Sequence, residues 1–198
     1  CAYAIANPGV NSLRTPVCAE MVNIVNDTDV TFNNFLFDET RFRAQFSNYV
    51  FSNNRAITKS MITWWAYTFA TQPLLSLENA FDIEHIFPRN RQQKENSLKN
   101  PHSLEMLGNK SLLERRINIR ASDYRFADKI KYYMGFQTSK GQKEGTNITE
   151  LKMLANELAD YTERNITERS ERILDGFVEY LKTNALIKSS KELNPINA

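Results

Sequence analysis

The chain has 198 residues, with 25 Lys plus Arg against 23 Asp plus Glu, 41% apolar residues and 11% aromatics, the profile of a globular protein long enough to bury a sizeable core. Disordered and collagen-like classes are excluded. A membrane span is excluded too, since the most apolar window, Met61 to Leu77, carries Thr63, Tyr67, Thr68, Gln72 and Pro73 and falls short of about 18 uninterrupted apolar residues. The two cysteines, Cys1 and Cys18, are too few and too local for a disulfide framework or a Cys-based zinc site, and they read as belonging to a reducing, cytoplasmic compartment. The chain opens in mid-pattern and is read as a piece of a longer protein.

The segment to about residue 79 reads as helical. Leu13, Val17, Cys18, Met21, Val22 and Val25 follow the rhythm of one apolar helix face, and Phe42, Phe46, Tyr49 and Val50 repeat it behind Asp38, a candidate N-cap. A third helix, about Thr58 to Thr71, carries Met61, Ile62, Trp64, Trp65, Tyr67 and Phe69 around most of its circumference and reads as buried core, ended by Pro73.

The middle changes texture. Phe81, Ile83 and Phe87 alternate with Asp82 and Glu84 at period two, which predicts a short strand stopped by Pro88. A polar loop is expected from Arg89 to Ser103, then a second short strand at Ser111-Leu-Leu and a helix carrying Phe126, Ile130 and Tyr133. From His85 to Lys143 the chain holds 13 Lys or Arg against 5 acids, a surplus of +8 within a net charge of +2. Such a block suits a polyanion-binding surface, the plainer alternative being a solvated basic face. Residues 136–188 read as a linker from Lys140 to Thr146 followed by two helices. The first starts at Thr149, the second near Ile166, and they are expected to pack as an antiparallel pair. Residues 189–198 read as a frayed tail.

The chemistry concentrates where the first strand ends, at Glu84-His85. Neighbours on a strand point to opposite faces, so both can serve one site only if the strand stops or bends there. A hard cation held by carboxylate and amide oxygens beside a neutral imidazole suits phosphodiester hydrolysis. His102, in a polar loop, reads as solvated. Asp82 reads equally as an outer partner of a metal or as one half of a strand-face ion pair.

The run Asp82-Ile-Glu-His-Ile-Phe-Pro88, followed by Gly108-Asn-Lys-Ser-Leu-Leu113 and Asn118, resembles the HNH (ββα-metal) nuclease superfamily. It is closest to the C-terminal nuclease domain of GmrSD-type, modification-dependent (type IV) restriction enzymes. Phe126-Ala-Asp-Lys-Ile-Lys-Tyr-Tyr133 and Ile166-Thr-Glu-Arg169 are similar to later stretches of that domain. The resemblance implies an α+β, mainly helical fold whose ββα-metal core, about residues 80–135, is embedded between helical segments, residues 1–79 being the tail of a linker. It implies His85 as general base and Asn109 as the residue orienting the His85 loop. Glu84 and Asn118 are implied as ligands of a divalent cation, Mg²⁺ or Mn²⁺. With the basic block it points to DNA as partner, contacted through Lys110, Arg115, Arg116, Arg120 and Lys129. An NTP-dependent sensor, as an N-terminal domain or a separate subunit, is implied as a further partner. The expected function is a metal-dependent DNA endonuclease of a bacterial restriction or anti-phage system. A non-catalytic nucleic-acid-binding domain and an RNA-directed nuclease are the alternatives.

Overall fold

Apolar period places several of the helices, and a side-chain cap fixes the start of one. Asp38 caps the helix Glu39–Asn48 by accepting from the Arg41 N–H at 3.0 Å, and Phe42 and Phe46 on its inner face are buried. In the computed structural model residues 1–7, 9, 14–30, 37–184 and 186–187 are described. Leu13 and the tail 189–198 lie outside them. Along the chain come α1 (Ala2–Ala6), α2 (Arg14–Val25), α3 (Glu39–Asn48), α4 (Ala56–Ala66), β1 (Phe81–His85), α5 (Arg89–Glu95) and β2 (Lys110–Glu114). They are followed by α6 (Arg115–Ala121), α7 (Phe126–Met134), β3 (Gly135–Thr138), β4 (Gly141–Glu144), α8 (Thr149–Glu157) and α9 (Glu163–Thr183). The fold is mainly helical with two small two-stranded sheets, an α+β composition.

The chain divides into two compact units. The first comprises residues 1–49 and 174–198. Its core is aromatic: Phe42 packs against Phe37, Phe46 and Phe177, with Arg43–Asp175 and Lys182–Glu39 ion pairs nearby. Helix α2 forms as the apolar rhythm predicts, but its apolar residues are not covered: Val17, Met21, Val22 and Val25 are exposed and only Glu20 is buried.

The second unit, residues 50–173, holds both sheets. Strands β1 and β2 pair antiparallel, Phe81 opposite Glu114 and His85 opposite Lys110. A two-stranded ribbon is marginal alone. Here α4 lies against β2, α6 packs on both strands, and α6, α7 and α8 follow one another in contact. Met61, Ile62, Leu112, Leu113, Ile117, Phe126, Tyr133, Leu151 and Ile166 form its core. Within α4, Met61 and Ile62 are buried while Trp64 and Trp65 are half-buried and Tyr67 exposed, so that helix is one-sided rather than engulfed.

Two segments differ from their sequence reading. Residues 89–95 form α5, whose all-polar sequence buries no side chain and so leaves no periodic signal. The expected linker after Lys140 is instead strand β4, paired with β3 as Phe136 opposite Lys143 and Gln137 opposite Gln142. Gly135 opens that hairpin at φ +84°, where a Cβ would also lie 2.7 Å from the Lys143 carbonyl oxygen. Helix α8 packs chiefly on α7, and a buried ion pair from Glu150 to Arg169 ties it to the start of α9.

Candidate active site

The end of β1 is fixed by one amide side chain. Asn109 is fully buried and its Oδ1 accepts from the Phe87 N–H at 2.7 Å. Its Nδ2 donates to the Phe87 and Leu104 carbonyls, each at 3.1 Å, while the Ile86 N–H reaches the Asn109 carbonyl at 3.1 Å. The turn after His85 is thereby closed, and Pro88 follows as the N-cap of α5. The neighbouring Gly108 is sterically required, since a Cβ there would lie 2.0 Å from the Ile166 carbonyl oxygen.

Arg169 secures the same stretch from below. It is 1% exposed, pairs with both oxygens of Glu150 at 2.8 and 2.6 Å, and donates through Nη1 to the carbonyls of Leu107, Gly108 and Lys110. Burial disfavours its charge, but Glu150 outweighs burial and holds its pKa above the ordinary value. Ser170 Oγ accepts from the Gly108 N–H at 2.8 Å and Tyr161 donates to the Gly108 carbonyl at 2.7 Å.

Above this platform opens a polar cavity of about 390 Å³ lined by Asn53, Ile83, Glu84, His85, Arg89, Asn90, Gln93, Asn118, Ser122, Asp123 and Lys129. Glu84 and His85 reach it together although they are strand neighbours, because β1 stops at His85. Glu84 is 3% exposed. Lys129 Nζ and Tyr133 Oη both donate to its Oε1, each at 2.6 Å, and no protein donor reaches Oε2 among the described residues. Burial raises the Glu84 pKa, Lys129 and Tyr133 oppose that, and Asp123 raises it further. Asn118 is turned so that Nδ2 lies 3.5 Å from Asp82 Oδ2, and Asp82 also pairs with Arg115 at 3.1 Å. Of the two roles open to it in sequence, Asp82 takes that of the strand-face ion pair. No cluster of three or more His, Cys, Asp and Glu side chains able to hold a metal occurs among the described residues. One carboxylate oxygen and one amide oxygen in an open polar cavity could hold a hard, largely hydrated divalent cation.

His85 is mostly buried. Its Nε2 contacts Lys110 Nζ and lies 3.6 Å from Glu105 Oε1. Burial lowers its pKa to about 4; Glu105 pulls the other way, and Lys110 and Arg89 add to the lowering. The imidazole is therefore neutral near pH 7, the form that accepts a proton. His102 does not line the cavity.

The basic residues sort by burial. Arg115 and Arg116 are exposed and paired with Asp82 and Glu144. Arg120 is half-buried, donates to the Glu144 carbonyl at 3.2 Å, and leaves Nε without a partner. Lys110 and Lys129, which the basic block assigns to phosphate contact, are instead buried at 0% and 1% exposure. Each faces a carboxylate, Lys110 on Glu105 at 2.8 Å and Lys129 on Glu84 at 2.6 Å. A charge neutralised in the interior cannot release counterions from DNA.

Sequence reasoning missed Glu105 and Asn53 around His85, and Asp123 in the cavity. It also missed the Lys129–Tyr133 clamp, although their spacing of four residues on one helix puts both on one face.

A buried carboxylate with one open oxygen, a neutral imidazole and a half-buried amide on one cavity define a candidate hydrolytic site on a small β-ribbon braced by helices. Residues 37–175 match the model of the C-terminal domain of GmrSD restriction endonucleases, and the chain belongs to that family. No curated protein and no solved structure matches the chain. The family implies a restriction-endonuclease nuclease domain acting on DNA. No helix among the described residues is long and apolar enough to cross a membrane.

Proposed function

We propose that the chain is a metal-dependent DNA endonuclease whose β1–β2 ribbon and following helices, about residues 80–135, act as a ββα-metal (HNH) core, flanked by the helical segments 1–79 and 136–188. The observation that carries the reading is the division of labour on Glu84: Oε1 is engaged by two buried donors while Oε2 is left open in the cavity shared with His85 and Asn118. Glu84 Oε2 and the Asn118 amide oxygen would hold Mg²⁺ or Mn²⁺. When bound, the cation would neutralise charge on the scissile phosphate and on the leaving oxygen.

His85 supplies the base. It takes one proton from water as the oxygen of that water bonds to phosphorus; the phosphorus bond to the leaving oxygen breaks, and that oxygen takes a proton from solvent. Asn109 holds His85 in place by closing the turn behind it. Lys129 and Tyr133 aim Glu84. Arg115 and Arg116 contact phosphates by exchanging weak surface pairs for DNA, with Arg120 beside them, while Lys110 and Lys129 serve inside the site. In the cell the domain would be the cytoplasmic effector of an anti-phage restriction system, coupled to an NTP-dependent sensor domain or subunit.

Supercoiled plasmid cleavage with Mg²⁺, Mn²⁺ and EDTA arms tests this. His85→Ala is expected to lose on the order of 10² to 10⁴ in rate with duplex affinity retained, whereas Glu84→Ala and Asn118→Ala raise the metal concentration needed for half-maximal activity. Full cleavage by His85→Ala, or identical metal titrations in all three, overturns the assignment. Duplex binding with no cleavage in any metal would favour a binding-only domain, and cleavage confined to RNA an RNA-directed nuclease.

A further inference from the structure

The Nε2 edge of His85 faces inward onto a small charged cluster. Lys110 lies directly across the ribbon from His85, contacts Nε2, and donates to Glu105 Oε2 at 2.8 Å and Asn53 Oδ1 at 3.1 Å. Glu105 Oε1 stands 3.6 Å from Nε2 and accepts from Arg89 at 3.0 Å. The Glu105 backbone is itself fixed, its carbonyl accepting from the Phe51 N–H at 3.0 Å. No protein group among the described residues bonds Nδ1.

This arrangement decides which nitrogen can work. A neutral imidazole carries one proton, so Nδ1 can accept from water only if Nε2 bears the hydrogen. That N–H needs an acceptor. A lysine ammonium has no lone pair, so in its present contact Lys110 donates to Nε2; the Glu105 carboxylate, 3.6 Å away, is the acceptor that can replace it there. Lys110 has two other acceptors, Glu105 and Asn53, and can leave Nε2 without being stranded.

We propose that Glu105 is the positioning residue of His85: in the working state its carboxylate accepts the Nε2–H, selects the tautomer with a free Nδ1 lone pair, and balances the imidazolium formed when that nitrogen takes the proton of the water. The proposal rests on the reading of His85 as general base. Lys110 and Arg89 hold Glu105 in place, and Glu105 acts through His85.

The test compares Glu105→Gln, Glu105→Asp and His85→Ala in plasmid cleavage, with affinity for uncleaved duplex measured in Ca²⁺. Glu105→Gln is expected to lower kcat by roughly 10- to 100-fold, as loss of a residue that orients a functional imidazole does elsewhere. KM and duplex affinity should stay within about twofold, and Glu105→Asp should recover most of the rate. Nitrogen-15 NMR of the imidazoles supplies a readout independent of turnover. The chain has only two histidines, so His102→Gln isolates the His85 signals, expected as the Nε2–H tautomer in the parent and a mixture in Glu105→Gln. An Nδ1–H tautomer in the parent, or a Glu105→Gln kcat within twofold of it, overturns the proposal while the His85 reading stands. Undiminished cleavage by His85→Ala removes that reading itself. Should Glu105→Gln fail to fold, the tautomer of the parent and the rate of Glu105→Asp decide the matter.

Discussion

Glu84 and Glu150 are both buried carboxylates set against a buried cation, and they differ in how many of their oxygens are engaged. Arg169 covers both oxygens of Glu150 and adds bonds to three carbonyls, so that pair is closed and has no capacity for a further ligand. Lys129 and Tyr133 converge on one oxygen of Glu84 and leave the other facing a solvent-connected cavity. The planar fork of arginine matches a carboxylate face to face, whereas a lysine ammonium is a point charge that reaches one oxygen. The difference separates an ion pair with both carboxylate oxygens engaged from one that leaves an oxygen free, the oxygen we propose as a metal ligand.

Breaking the closed pair should have the largest effect. Arg169→Met leaves Glu150 buried without a partner and frees three carbonyls, a loss of about 3–5 kcal/mol. Thermal unfolding should show a drop of roughly 10 °C or more in Tm, and an unchanged Tm would mean the pair is not structural. The open pair is sharpened by adding metal to the parent protein. At Mn²⁺ concentrations about 100 times the dissociation constant, stability should rise by about 2.7 kcal/mol, while Glu84→Gln shows no rise and Glu150 plays no part in the response. Equal stabilisation of parent and Glu84→Gln would place the cation elsewhere.

Acidification gives a smaller effect that separates the His85 edge of the cavity from both pairs. With its folded pKa near 4 against 6.5 unfolded, His85 takes up a proton in the unfolded chain first. Its contribution is full above pH 6.5 and is lost as pH falls from 6.5 toward 4. For Glu105, burial acts to raise the pKa, but the bonds to His85 and Lys110 prevail and bring it to about 2. Its contribution persists down to about pH 4.5 and fades only below that. Melting curves of the parent and His85→Gln should therefore differ in slope by a few degrees of Tm between pH 6.5 and 4, and parallel curves would refute the burial argument. The smallest effect is at the surface. Arg115→Gln or Arg116→Gln should reduce the slope of log duplex affinity against log salt by about one, with Arg164→Gln as control, and Tm should stay nearly unchanged. An equal change in the control would show that these arginines are only a solvated face.

Much of the ribbon was legible because alternation and a stopping proline each have one geometric meaning, and β1 ends at His85. Helix α3 and its Asp38 cap were legible for the same reason. The part of Asn109 came from the family resemblance alone, and its bonds to Phe87 and Leu104 are what close the turn. Burial was much harder to read. Lys110 and Lys129 look in sequence like any other members of a basic block, and only pairing across the ribbon or along α7 shows that they point inward. Glu105 carries no local signal, since its neighbour His85 is twenty residues away. Strand β4 reads as a linker because Gly141 to Glu144 holds no apolar side chain. In α2 the apolar period correctly gives the helix, but period says nothing about whether a partner covers the face.

The steric lock at Gly108 bears on when the site comes into being during synthesis. The side chains that bond the Gly108 backbone, Ser170, Tyr161 and Arg169, and the Ile166 carbonyl that leaves no room for a Cβ there, all come from residues 161–170. A growing chain that has already produced Glu84, His85, Asn109 and Asn118 still lacks the platform that shapes them. Domains fold as units once their closing contacts are available, so this chain should acquire a formed site only after the start of α9 has been made, and nuclease activity would be withheld from nascent and truncated products. Release of an active fragment ending before Tyr161 would contradict this order of events.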